Sequence, residues 1–107
     1  MGELAQKKCV PCEGGTPKLD AARVSELTSQ VSGWQARDDK LYKTFTFPNF
    51  VAAMAFLGKV AEVAEQEQHH PDFSVHYNRV DFTIWTHAVG GLSENDFILA
   101  AKIDQLV

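Results

Sequence analysis

Val80-Asp81-Phe82-Thr83-Ile84-Trp85-Thr86-His87 decides how the chain is read. Val80, Phe82 and Ile84 alternate with Asp81, Thr83 and Trp85. Successive side chains of a strand point to opposite faces, so this spacing predicts a strand over Val80–Thr86 with one face on a core. His87 ends it and shares the face of Thr83 and Trp85, away from the core. Val75 to Tyr77 is a short strand candidate just before it.

Working toward the amino terminus, Asn49 to Glu67 reads as a long helix. Its apolar stripe is Phe50, Met54, Leu57, Val60 and Ala64. Pro71 biases His70 away from helical angles, so the helix ends before it. Leu41 to Phe47, rich in Tyr, Thr and Phe, is a strand. Trp34 to Asp38 is another, joined to it by the polar turn Asp38-Asp39-Lys40, a weak two-residue hairpin signal. Asp20 caps a helix whose Ala21, Val24, Leu27, Thr28 and Val31 recur at spacings of three and four.

Toward the carboxyl terminus, Gly90-Gly91 marks a turn. Ser93-Glu-Asn-Asp96 has the form of a capping box, opening a last helix that buries Phe97, Ala100, Ala101 and Ile103. Two hairpin-like pairs separated by a helix give a two-layer α+β fold. The expectation is a four-stranded antiparallel sheet with about three helices on one face. Residues 18–107 form one domain. Residues 1–17, dense in turn formers around Cys9-Val-Pro-Cys12-Glu-Gly-Gly, read as a flexible amino-terminal tail. A small sheet leaves edges exposed, and pairing with a second copy is the usual remedy, so an oligomer is expected.

Composition narrows the function classes. The chain has 107 residues, room for a single modest core. With 10 basic against 14 acidic residues its net charge is −4, which argues against direct grip on nucleic acid or an anionic membrane. Its apolar runs are too short for a membrane span. No basic segment followed by an apolar one opens the chain, so no signal peptide is expected. Two Cys do not make a disulfide scaffold. A cytoplasmic setting follows.

All four His fall from His69 to His87, and three of them, His69, His70 and His87, stand at element ends and off the core face. Histidine titrates near neutrality and can both give and take protons. Elimination of water needs both acts, and each positioned acid or base is worth ~10²–10⁴ in rate. Two other readings compete: a solvated helix end, and a three-His zinc site. Adjacent His residues rarely aim at one metal, so metal ranks below acid–base chemistry. His76, within a strand, reads as a surface residue. Glu65 reads as part of a solvated face, with Glu62 and Glu67 beside it just as acidic. Asp96 reads as a helix cap. Cys9-x-x-Cys12 has redox or half-metal-site spacing but no βαβ unit around it, and reads as an inert reduced pair.

From Glu65-x-x-x-His69-His70-Pro71 through Tyr77, Thr86-His87 and Gly91-Leu92-Ser93 to Asp96, the chain resembles the pterin-4a-carbinolamine dehydratases. The ending Asp96-Phe-Ile-Leu-Ala-Ala-Lys-Ile-Asp104 is similar too, and Cys9–Gly15 looks like bacterial-type members. The resemblance implies a lyase that dehydrates 4a-hydroxytetrahydrobiopterin to the quinonoid dihydropterin, recycling the cofactor of aromatic amino-acid hydroxylases. It implies a homodimer or homotetramer and no metal or cofactor, the pterin being substrate. It makes His69, His70 and His87 the catalytic set. His69 and His87 are proton donors to the leaving hydroxyl, and His70 holds the pterin and accepts the ring proton. Glu65 and Asp96 match the family's acidic residues and, with backbone groups near Gln68 and Trp85, form the substrate-binding set. This chain has Phe73 where many animal members carry Trp, and Trp85 where others carry Ser. The alternative is a non-catalytic pterin-binding or regulatory protein of the same fold, acting through protein contacts.

Overall fold

The structure is a computed structural model that describes residues 3–10 and 17–107. Its elements in chain order are α1 (Glu3–Gln6), α2 (Ala21–Thr28), β1 (Gln35–Arg37), β2 (Lys40–Thr46), α3 (Phe50–Glu67), β3 (Asp72–His76), β4 (Arg79–Ile84), a 3-10 turn (His87–Val89) and α4 (Glu94–Asp104). The strands form one antiparallel sheet in the order β1-β2-β4-β3. Two hairpins thus lie side by side, as the alternation and turn signals predict.

The register explains the two faces. Leu41 pairs with Ile84, Lys43 with Phe82 and Phe45 with Val80. Directly opposed residues share a face, and of these Leu41, Phe45, Val80, Phe82 and Ile84 are buried. Lys43 lies in the same row. Its ammonium escapes the core by bonding Asp104 Oδ1 at 2.8 Å and Ser32 O at 2.7 Å. The other face carries Tyr42, Thr44, Asp81 and Thr83, none of them buried. The β1–β2 hairpin closes through Asp38 and Asp39 alone, both left-handed at φ 53° and 60°. Aspartate tolerates that region better than most residues, so the weak turn signal makes a tight hairpin.

The long helix α3 is capped by Asn49, whose Oδ1 accepts from Ala52 N at 2.8 Å. Its buried face is Ala53, Phe56, Leu57, Val60, Ala64 and Glu67. That corrects the expected stripe at two positions, for Phe50 and Met54 are 48% and 45% exposed. The reason is aromatic packing. The Phe56 ring lies 5.1 Å from Phe45, 4.9 Å from Phe47 and 6.0 Å from Phe82, centroid to centroid. Turning Phe56 into this cluster rotates Phe50 and Met54 outward. Each fully buried side chain of this size stabilises the fold by about 1.5–3 kcal/mol.

Helix α4 is buried at nearly every position from Asn95 to Ala101, because α1 and α3 both pack on it. Here the expected flexible tail is corrected for residues 3–10: Leu4 is 2% exposed and belongs to the core. Four residues are too few to show a helical period, so the sequence gives no sign of α1. Cys12 of the Cys9-x-x-Cys12 pair lies outside the described residues. β3 begins at Asp72, earlier than the strand candidate at Val75. No helix among the described residues is long and apolar enough to cross a membrane.

Candidate active site

The end of α3 builds the site. Gln68 takes left-handed angles, φ 54°, and caps the helix. Its side-chain amide donates to Glu65 O at 2.8 Å. His69 N–H then reaches back to Ala64 O at 3.2 Å. This tight exit is what separates the two adjacent histidines.

His69 turns inward. Its Nε2 donates to Asp96 Oδ1 at 2.6 Å, and the His69 side chain is only 12% exposed. Asp96 has no exposed surface. Its other oxygen accepts from Ser93 N–H at 2.8 Å and from Thr86 Oγ1 at 2.9 Å. The Thr86 hydrogen goes to Asp96, so the Ser93 hydroxyl donates to Thr86 Oγ1, at 2.8 Å. Both carboxylate oxygens are matched, as a buried carboxylate requires. The capping box of α4 is present as expected, but its acidic member also holds a histidine. Asp96 thus caps the helix and also bonds His69 and Thr86.

His70 turns outward. Its Nε2 donates to Glu65 Oε2 at 2.6 Å, with the two side chains 57% and 73% exposed. His87 opens the 3-10 turn and is exposed. Its ring stacks on Trp85, centroids 3.8 Å apart and planes 27° off parallel. Lys40 Nζ sits 5.0 Å from the Trp85 ring. The three histidines therefore each hold a different partner: Asp96, Glu65 and Trp85. Among the described residues no three His, Cys, Asp or Glu side chains gather as metal ligands do. His76 is a surface residue as expected, 3.2 Å from Ser74 Oγ.

A cleft of about 520 Å³ opens beside His69. Gln66 to His69 line it from the end of α3, with Thr86, Ala88 and Asn95 from the other elements. Lys8, Cys9 and Val10 complete it from the amino-terminal segment. Of the catalytic and substrate-binding residues expected from sequence, His69 and Gln68 line this cleft. His87 sits between two lining residues, Thr86 and Ala88, while His70 and Glu65 lie on the surface next to it. A wider hollow of about 760 Å³ lies between α2 and the β1–β2 turn. It holds none of the histidines, and its Lys18 is paired with Asp39 at 2.6 Å.

Sequence reasoning passes over Glu67, which is buried rather than solvated. Its Oε1 accepts from Cys9 N–H at 2.8 Å and its Oε2 lies 3.3 Å from Lys102 Nζ. Burial pushes the Glu67 carboxyl up, but the Cys9 N–H and the Lys102 ammonium outweigh it and hold it below the usual carboxylate range. Burial, then the neighbouring Glu67 charge, pushes the Cys9 thiol up to about 12. It is a neutral thiol at physiological pH, which agrees with an inert cysteine. The signal for Glu67 lies in its spacing, three residues after buried Ala64 on the same helix face.

Fold and site together define a small α+β domain with a carboxylate-backed histidine at a cleft, which is equipment for moving protons. The chain belongs to the pterin 4 alpha carbinolamine dehydratase family, whose model matches residues 17–106. A relative from Nitrosomonas eutropha, provisionally named pterin-4-alpha-carbinolamine dehydratase, is 52% identical over 98% of this chain and 94% of its own. One of the same provisional name from Rickettsia canadensis is 46% identical over the whole of both chains. Among solved structures, a transcriptional coactivator/pterin dehydratase from Brucella melitensis superposes with a TM-score of 0.80 at 33% identity, over 83% of this chain and 97% of its own. A pterin dehydratase-like protein described as a RuBisCO assembly factor in the alpha-carboxysome has a TM-score of 0.58 at 26% identity, over 68% of this chain and 84% of its own.

Proposed function

We propose that this protein is a hydro-lyase that converts pterin-4a-carbinolamine to the quinonoid dihydropterin by histidine acid–base catalysis. The observation that carries the reading is the 2.6 Å bond between His69, at the cleft, and fully buried Asp96. Family membership supplies the substrate class.

The reaction breaks the bond from the ring carbon to its hydroxyl, and the oxygen leaves as water after taking one proton. The neighbouring ring nitrogen gives up its hydrogen as a proton, and its electrons complete the new C=N bond. His69 and His87 supply the first proton, and His70 accepts the second. With Nε2 of His69 committed to Asp96, Nδ1 is the nitrogen left for substrate. Asp96 fixes the ring and offsets its charge when protonated, as a carboxylate behind a histidine does in other acid–base sites. Glu65 holds His70 in the same way from the surface. Backbone groups at Gln68 and Trp85 pair with the amide-like edge of the pterin.

The physiological setting that goes with this reading is recycling of the pterin cofactor of aromatic amino-acid hydroxylases, in the cytoplasm. The active form is a homodimer or homotetramer. Two sheet edges, β1 and β3, and the exposed Phe50, Val51, Met54 and Phe73 support association.

The test is turnover of chemically made carbinolamine. Activity that His69→Ala lowers by ~10²-fold or more supports the reading. Pterin binding without turnover overturns it in favour of a second reading, a pterin-binding or regulatory protein acting through protein contacts. The structural likeness to a RuBisCO assembly factor is what favours that alternative.

A further inference from the structure

We infer that the amino-terminal segment Lys8–Val10 is a wall of the substrate cleft, and that Asn95 and Glu67 are the positioning residues that hold it there. The inference deepens the dehydratase reading of that cleft and rests on it.

The segment has no helix or strand of its own, yet its backbone is bonded as if it lay in a sheet. Val10 N–H donates to Asn95 Oδ1 at 3.0 Å, and Asn95 Nδ2 donates back to Val10 O at 2.5 Å. Cys9 N–H donates to Glu67 Oε1 at 2.8 Å. Cys9 Sγ lies 3.6 Å from Asn95 O, and Lys8 Nζ lies 3.4 Å from Gln66 O. Asn95 and Glu67 are 5% and 8% exposed. Burying an amide and a carboxylate is costly unless they are matched, and backbone groups of this segment match both.

The two anchors are not arbitrary positions. Glu67 stands two residues before His69, and Asn95 stands next to Asp96. The segment is therefore fastened to the same two helix ends that bring His69 and Asp96 together. Lys8, Cys9 and Val10 all line the cleft with His69. Val10 is 64% exposed, an apolar side chain free to meet the flat face of a bicyclic ring. A ligand in the cleft touches this wall and shields it from solvent.

The test uses the full chain carrying Cys12→Ala, which leaves Cys9 as its single thiol. Binding of a non-reacting dihydropterin is followed by Trp fluorescence, and maleimide labelling of Cys9 is timed with and without it. Saturating pterin slows labelling about fivefold or more, because labelling then needs the wall to open without ligand. Asn95→Ala speeds labelling of the free protein and raises KM roughly five- to tenfold, more than it lowers kcat. Asn95→Asp keeps the acceptor for Val10 N–H and falls between the two. Pterin binding that leaves Cys9 labelling unchanged overturns the inference and leaves the dehydratase reading standing. An unchanged KM in Asn95→Ala, with faster labelling, overturns it as well. Failure to bind pterin at all overturns the dehydratase reading, and the inference falls with it.

Discussion

His69 and Asp96 meet at 2.6 Å across a sequence separation of 27 residues, joining the end of α3 to the start of α4. The carboxylate is fully buried and the ring is nearly so. The orientation of the ring and the start of the last helix both depend on this one carboxylate, through its two oxygens.

Asp96→Asn keeps the shape and removes the charge. The amide oxygen still accepts from Ser93 N–H and Thr86 Oγ1, but the amide nitrogen offers His69 Nε2 a donor, so the ring must take the opposite tautomer or lose the bond. A donor left unmatched in a buried site costs about 1–3 kcal/mol. The misheld ring lowers kcat by ~10²-fold. Urea unfolding and steady-state kinetics check the two effects separately. A variant with wild-type stability and turnover removes Asp96 from the mechanism.

His70 and Glu65 behave differently, because their pair is exposed. His70→Ala changes stability by no more than about 0.5 kcal/mol, as surface substitutions do. The same variant lowers turnover of the carbinolamine by ~10²–10⁴ if His70 accepts the ring proton. Thermal unfolding beside turnover gives both numbers. Full activity in His70→Ala takes this histidine out of the catalytic set.

How much of this could be read from the chain follows from where the determinants lie. The β4 strand and the Ser93–Asp96 box are local patterns, and both are present in the structure. The rotation of α3 is not local. It depends on Phe56 meeting Phe45 and Phe82, residues that only the folded sheet brings together. The histidines were visible as a cluster in sequence, but the left-handed exit at Gln68 sends His69 inward and His70 outward. Glu67 looked like its exposed neighbours because its partners, Cys9 and Lys102, lie far from it along the chain. Asp96 illustrates a different limit. Its capping role was legible and its bond to His69 was not, though one side chain does both.

Leu4→Ala separates a docked amino terminus from a loose one. Leu4 is 2% exposed and sits where α1 packs on α4. Truncating a buried leucine costs about 2–5 kcal/mol through lost burial and the cavity left behind. The urea midpoint shifts down accordingly. A change below about 0.5 kcal/mol is what a surface residue gives, and that result shows that residues 3–6 do not belong to the core.

Glu67 makes stability depend on pH in a definite direction. Its carboxyl is held below its ordinary value of 4.5 in the folded chain, while the unfolded chain titrates near that value. Between the two values the unfolded state binds the proton and the folded state does not, so stability rises with pH across that window. The contribution is complete above about pH 4.5 and is lost as pH falls through the folded value. Glu67→Gln removes the titration but keeps an acceptor for Cys9 N–H. Wild type is therefore more stable than Glu67→Gln at neutral pH, and the gap closes in acid. Urea midpoints of both proteins from about pH 7 to about pH 3 measure it. A gap that stays constant over that range means that the Glu67 charge, and with it the Lys102 contact, does not stabilise the fold.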